Sequence, residues 1–129
     1  MEDKLKNAVE SENEQKLIEC LEFTNSGKIN NKCYEYIEKA LTGTWHEQHE
    51  DLVNTIYLEN LIDDRFVDPI LNIALSKDIF RLYDDELEST LRKCVHALKT
   101  INSENSNRAL KQLEKLNNDN VKITLEMYQ

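Results

Sequence analysis

An all-α fold is predicted by three features of this sequence. Its 129 residues include only two glycines and one proline, a composition that favours helices and leaves few residues for hairpin turns. Apolar residues recur at the i, i+3, i+4 and i+7 spacing of a helical face along most of the chain. Short polar joints with capping residues separate these stretches. A chain of this length suits one domain, residues 1–129, with a single core.

The first three helices are delimited by polar residues and glycine. After a short amphipathic start, Ser11 and Glu14 match a capping box for the second helix. Gly27 is predicted to end that helix, and Asn30 or Asn31 begins the third. Because these joints are short, we expect neighbouring helices to pack antiparallel.

The central helix is predicted over Trp45–Ile62. Gly43 ends the helix before it, and Thr44 with Glu47 forms a capping box at its first turn. A second apolar arc near its C-terminal end indicates that other helices cover it on more than one side. Its inward stripe comprises Trp45, His49, Leu52, Val53 and Ile56.

Two further helices are predicted around an irregular connection at residues 76–83. The first begins with Asp68 as N-cap and Pro69 at the first helical position, where a missing N–H costs nothing. The second is capped by Asp84 or Asp85. Its inward face comprises Leu87, Leu91, Cys94, Val95, Leu98 and Ile101.

Two helices are predicted at the C-terminal end. Ser103 or Ser106 begins the first, with Ala109, Leu110, Leu113 and Leu116 facing inward. The tail after Asp119 alternates in hydropathy as a strand would, but Val121, Leu125 and Tyr128 also fit a helix. Since no partner strand is predicted elsewhere, we predict a helix.

The predicted helices form pairs that recur along the chain. Trp45–Ile62 with Pro69–Ser76, and Asp85–Ile101 with Ser106–Leu116, repeat at about the 40-residue period of HEAT-type hairpins. Stacks of such hairpins present one concave surface and generally act by binding other proteins.

The composition favours an acidic protein that binds a basic one. The formal net charge is −9, so the field around the protein should repel nucleic-acid phosphates and attract cationic polypeptides. No stretch reaches the roughly 18 apolar residues of a membrane helix, and no signal-peptide core is present. We therefore expect a cytoplasmic protein that binds neither nucleic acid nor membrane. Cys20, Cys33 and Cys94 lack CxxC spacing, which favours buried free thiols.

His46, His49 and Glu50 raise the alternative of a metal-dependent hydrolase. The spacing of the two histidines is i, i+3, whereas zinc motifs on helices place both histidines on one face at i, i+4. We therefore expect His49 to be a hydrogen-bonded core residue and His46 to lie at the rim. Neither a metal nor a cofactor is expected, and no glycine-rich phosphate loop is present.

Carboxylates are more numerous than helix capping requires. Four lie between positions 84 and 88 at a helix start, and three lie between positions 63 and 68. Like charges crowded in a first turn are costly unless a cation approaches them. Both groups are expected along one edge of a hairpin stack, with aromatic side chains as rigid anchors. The candidate partner-binding residues are His46, Glu50, Tyr57, Asp63, Asp64, Asp68, Tyr83, Asp84, Asp85, Glu86 and Glu88.

Four segments together resemble a known family. They are TWHEQHEDLV from residue 44, Asp68-Pro69, Tyr83–Asp85 and Arg92–Leu98. The combination resembles the small HEAT-like immunity proteins of bacterial polymorphic-toxin and contact-dependent growth inhibition systems. The similarity covers the middle and later part of the chain.

The resemblance implies a right-handed stack of antiparallel helical hairpins that binds and neutralises a cognate toxin domain, such as a nuclease. It also implies that the gene lies directly behind that of a large toxin. The protein is expected to be monomeric when free. The alternatives are a HEAT-like scaffold for an unrelated protein and the metal-dependent hydrolase described above.

Overall fold

The computed structural model describes residues 2–22, 29–76 and 86–128, which form eight α-helices and contain no strand. The all-α prediction is therefore confirmed. None of the described helices is long and apolar enough to cross a bilayer. The helices are α1 Glu2–Glu10, α2 Glu14–Glu22, α3 Tyr34–Thr42, α4 His49–Leu58, α5 Val67–Leu75, α6 Glu86–Ile101, α7 Glu104–Glu114 and α8 Asp119–Glu126.

The helices pack in two rows. Helices α1, α3, α5 and α7 contact one another in chain order, and α2, α4, α6 and α8 do the same. Each odd-numbered helix also packs on the even-numbered helix that follows it. The most extensive contact is between α4 and α6. The predicted pairing of the central helix with the Pro69 helix is wrong, because α4 packs on α3 and α6 and makes little contact with α5.

One cluster of buried residues joins all eight helices. Its members follow the predicted inward stripes, including that of α6, where side chains are described from residue 88 onward. The cysteines Cys20, Cys33 and Cys94 are buried free thiols, as predicted. The large side chains at its centre include Leu17, Ile37, Leu52, Phe66, Ile70 and Leu98.

Several helix ends place a residue other than glycine in the left-handed backbone region. Asn60, Asn102 and Asn117 follow α4, α6 and α7 with φ of 55°, 48° and 53°. Asparagine tolerates this conformation better than most residues. After α4, the N–H of Leu61 donates to the Ile56 carbonyl at 3.0 Å, which closes the helix as a Schellman motif does. Asparagine thus ends these helices in the left-handed conformation that glycine usually adopts, in a chain that has only two glycines.

Two of the predicted N-caps are wrong by a few residues. Asn13, and not Ser11, caps α2, because its Oδ1 accepts the Lys16 N–H at 3.0 Å. Asp63, and not Asp68, caps the 3₁₀ turn Asp64–Phe66 that leads into α5. Pro69 is consequently the third residue of α5, a position whose N–H also lacks an intrahelical partner.

The two C-terminal helices begin close to the predicted places. Ser103 is the N-cap of α7 and Ser106 is the reciprocal residue of its capping box, so both candidates take part. The tail is a helix, α8, capped by Asn118. Leu116 is the exception to the predicted stripe, since it lies beyond the end of α7 and is 46% exposed. The predicted helix end at Gly27, and residues 77–83 of the connection predicted at 76–83, lie outside the described residues.

Candidate protein-binding surface

An acidic edge is formed where α4 connects to α5. Ile62 is 57% exposed, and the next two residues are Asp63 and Asp64. Asp68 follows in the first turn of α5, where it is exposed. We define the acidic edge as Ile62, Asp63, Asp64 and Asp68. It combines one apolar side chain with three carboxylates, and so presents chemistry suited to a cationic protein surface.

Local hydrogen bonds hold this edge in place. The Asp63 carboxylate accepts the Arg65 backbone N–H at 2.9 Å and forms an ion pair with the Arg65 side chain at 3.3 Å. Asp64 accepts a hydrogen bond from the Asn105 side chain at 3.1 Å. The α4–α5 connection therefore lies against the start of α7. Arg65 partly neutralises Asp63. The acids best placed to attract a partner are therefore Asp64 and Asp68.

Tyr57 belongs to an aromatic cluster that joins three helices. Its ring lies 4.8 Å from that of His96 on α6. His96 Nδ1 lies 2.5 Å from the hydroxyl of Tyr128, which follows α8. The Lys99 ammonium lies 5.6 Å from the centroid of the Tyr128 ring. We define the aromatic cluster as Tyr57, His96 and Tyr128. It lies on the even-numbered row, and its rings can anchor a protein partner.

The protonation of this cluster follows from its partial burial. Desolvation lowers the pKa of His96 and raises that of Tyr128, so both are neutral at pH 7. The Tyr128 hydroxyl and His96 Nδ1 therefore share a hydrogen bond between two neutral groups. Sequence reasoning selected Tyr57 but not its two partners. Their contact spans 32 positions in the sequence and becomes visible only when α8 is placed against α6.

His46 lies inside the protein and not at the predicted rim, since it is 5% exposed. Its Nε2 lies 2.7 Å from the Ala40 carbonyl, and its Nδ1 accepts the Gln48 N–H at 2.9 Å. The ring is therefore the neutral tautomer that donates through Nε2. Both ring nitrogens serve the connection between α3 and α4, which leaves His46 no nitrogen for a metal or a partner.

His49 is a core residue, as expected, and it supports the same connection. Its Nε2 lies 2.6 Å from the Gly43 carbonyl, and its ring stacks on that of His46 with centroids 4.3 Å apart. Burial lowers the pKa of His49 to about 4 and also lowers that of His46. In the described part of the chain, no group of three His, Cys, Asp or Glu side chains is arranged to hold a metal ion.

These histidine contacts explain why the predicted capping box at Thr44 is wrong. Residues 44–48 are not helical, and α4 begins only at His49. Glu47 offers its N–H to the Glu14 carboxylate at 2.7 Å instead of capping a helix. Gly43 allows the chain to turn here, because a Cβ on it would lie 2.5 Å from Nε1 of Trp45. Tertiary contacts have replaced a local capping motif.

Glu50 forms contacts within the protein. Its carboxylate pairs with the Lys93 ammonium at 3.0 Å and accepts a hydrogen bond from Ser89. Both side chains of the ion pair are only about one-third exposed. Glu50 therefore joins the first turn of α4 to α6.

The remaining candidates precede or begin α6. Glu88 is exposed, and Glu86 is the first residue of the helix. Tyr83, Asp84 and Asp85 lie outside the described residues.

Glu88 does not share one edge with Asp63, Asp64 and Asp68. The first turn of α4 contacts the N-terminal part of α6 through Glu50, and the last turn of α4 contacts His96, further along α6. Helices α4 and α6 therefore run in the same direction. The acidic edge follows the end of α4 and contacts the start of α7, which follows the end of α6. Glu88 lies at the other end of α6, about 20 Å away along the helix axis.

No protein-family model matches this chain, and no curated protein or solved structure matches it either.

Proposed function

We propose that this protein is an immunity protein that binds and neutralises a basic toxin domain, such as a nuclease, in the cytoplasm of the cell that produces both. The observation that carries the proposal is the acidic edge, where Ile62 is exposed beside Asp63, Asp64 and Asp68. An exposed apolar residue followed closely in the chain by three carboxylates matches the composition of an interface with an apolar centre and a polar rim.

We infer a HEAT-like right-handed stack of antiparallel hairpins in a single domain, and the two rows of helices support its layered arrangement. Such a stack has two rows in which each helix packs on the equivalent helix of the next hairpin. The contacts of α1, α3, α5 and α7, and separately of α2, α4, α6 and α8, follow this scheme. The aromatic cluster then lies on the even-numbered row.

Charge determines what kind of partner fits. The formal net charge of −9 would accelerate the approach of a cationic domain at low ionic strength. A nuclease is a basic protein around its substrate cleft, because it must hold phosphates. The acidic edge would cover such a cleft or bind beside it, with Asp64 and Asp68 near the cationic groups and Ile62 excluding water between them.

Co-expression tests this proposal directly. The toxin domain is expressed from the gene directly upstream in the native genome, with either the wild-type chain or the variant Asp64→Asn/Asp68→Asn. The wild type should allow growth and should co-purify with the toxin domain at equimolar ratio. The variant should protect less well, because it has lost the two accessible carboxylates of the edge.

A matched control has the same change in net charge elsewhere. Glu10→Gln/Glu114→Gln removes two exposed carboxylates from the ends of α1 and α7, away from the acidic edge. It should protect as well as the wild type. The proposal is wrong if no toxin gene precedes this one, or if the upstream toxin domain neither binds the wild type nor loses activity.

A further inference from the structure

A groove separates α2 from α4 in the even-numbered row. Its volume is about 230 Å³. Ile18 and Leu21 of α2 and Leu58 of α4 supply apolar surface, and Glu22 and Asp51 supply carboxylates. Leu58 is 62% exposed, although it lies in the last turn of a helix whose other apolar residues are largely buried. The groove therefore leaves a large apolar side chain open to solvent beside two negative charges.

The groove lies beside a bridge that joins the start of α2 to the start of α4. Oε2 of Glu14, the first residue of α2, accepts the Glu47 N–H at 2.7 Å and the Gln48 side-chain amide at 3.4 Å. Both helices begin at this bridge and run in the same direction. Beyond it they pack less closely than α4 packs on α6. Residues near the two C-terminal ends, Leu21 and Leu58, are among those that line the groove.

The size and lining of the groove indicate what it can receive. Its volume is below the roughly 300–1,000 Å³ of small-molecule sites, so a side chain of a protein fits better than a metabolite. Among the described residues that line it, none is basic. Lysine and arginine pack their apolar stems on hydrophobic surface while the charged head reaches a carboxylate. The apolar residues and the two acids here match both parts of such a side chain.

We propose that the α2–α4 groove binds an arginine or lysine side chain presented by the basic toxin domain. This inference rests on the proposed function and adds a second contact region to the acidic edge. The stem of the cationic side chain packs against Leu21 and Leu58, and its head pairs with Asp51 or Glu22. Burial in the complex removes Leu58 from water.

The test measures binding of the upstream toxin domain to the variant Asp51→Asn/Leu58→Ala by surface-immobilised kinetics. Both residues are exposed, so their replacement should leave the fold intact, which circular dichroism and thermal unfolding verify. We expect affinity to fall by about tenfold or more, chiefly through faster dissociation. The variant Asp51→Glu/Leu58→Met, which retains the charge and the apolar stem, should restore most of the affinity. The matched control Glu114→Gln/Leu116→Ala makes equivalent changes at the C-terminal end of α7 and should change affinity less than about twofold.

The outcomes separate this inference from the proposed function. If the toxin domain does not bind the wild type, both are wrong. Suppose that the toxin domain binds the wild type and that Asp64→Asn/Asp68→Asn lowers the affinity. If Asp51→Asn/Leu58→Ala then binds as tightly as the control variant, the groove inference alone is overturned. The remaining outcome comes from light scattering of the free protein. If the wild type is a dimer and Leu58→Ala dissociates it, a second copy of the chain occupies the groove.

Discussion

The imidazole rings of His46 and His49 stack with their centroids 4.3 Å apart and with 20° between their planes. Each ring uses Nε2 to contact a backbone carbonyl, of Ala40 and of Gly43 respectively. The pair therefore fixes the path of the chain from α3 to α4. Since both rings are buried and close together, they are stable here only as neutral groups.

Acid should destabilise the protein through this pair. The pKa of His49 is lowered from 6.5 to about 4, so between these values the unfolded state binds more protons than the folded state. Stability is then fully present above pH 6.5 and falls as the pH drops toward 4. At pH 5 the loss from His49 should be about 2 kcal/mol. Urea unfolding at pH 7.5 and 5 measures it.

The variant His49→Gln tests the cause of that loss. Glutamine can place an amide near the position of Nε2 but does not titrate in this range. The variant should therefore lose less stability between pH 7.5 and 5 than the wild type. An equally steep dependence would show that other groups cause the acid sensitivity.

Gly43→Ala should destabilise the protein by steric conflict. The added Cβ would lie 2.5 Å from Trp45 Nε1 and 3.3 Å from the Lys39 carbonyl. Gly43 has a φ of −75°, which alanine can adopt, so backbone strain plays no part. We expect a loss of about 1–3 kcal/mol in chemical unfolding. In the Trp45→Ala background the same substitution should cost clearly less, and an unchanged cost would contradict this account of the glycine.

The ion pair of Glu50 with Lys93 should contribute more than an exposed pair does. Both side chains are about 30% exposed, and Ser89 donates to the same carboxylate. Glu50→Gln should lower the free energy of unfolding by about 1 kcal/mol. Glu35→Gln is the matched control, because it removes the more exposed pair with Lys39 and should cost less than about 0.5 kcal/mol. Equal effects would mean that burial adds nothing to the Glu50 contact.

Ser103 should stabilise the start of α7 through its side chain. Its Oγ accepts the Ser106 N–H at 3.0 Å, and Ser106 Oγ accepts the Ser103 N–H at 2.8 Å. Ser103→Ala should cost about 1 kcal/mol in thermal or chemical unfolding, whereas Ser103→Asp should retain most of the stability. Similar losses in both variants would show that the hydroxyl acts in some other way.

The fold class and most helix positions could be predicted because they depend on local patterns. The spacing of apolar residues in α6 and the capping serines of α7 required no knowledge of neighbouring helices. The start of α4 could not be predicted in this way. Thr44 and Glu47 match a capping box, but the buried contacts of His46 and the bond from Glu47 to Glu14 prevail over it.

The candidate surface was only partly predictable for a related reason. The sequence identified Asp63, Asp64 and Asp68 as surplus acids, and the structure places all three between the end of α4 and the first turn of α5. The sequence did not reveal that Glu88 lies toward the other end of α6 from this edge, because this depends on which helices pair. The contact of Tyr57 with His96, and of His96 with Tyr128, likewise depends on the order of helices within a row.

The association rate of the toxin domain, measured by stopped flow against ionic strength, tests the central claim most directly. If the acidic edge captures a basic domain, the wild-type rate should fall steeply as salt rises from about 20 to 300 mM. Asp64→Asn/Asp68→Asn should bind about three- to tenfold more slowly at low salt and with a shallower salt dependence, while Glu10→Gln/Glu114→Gln should remain close to wild type. Equal rates and slopes for the two double variants would contradict the claim that this edge is where the partner binds.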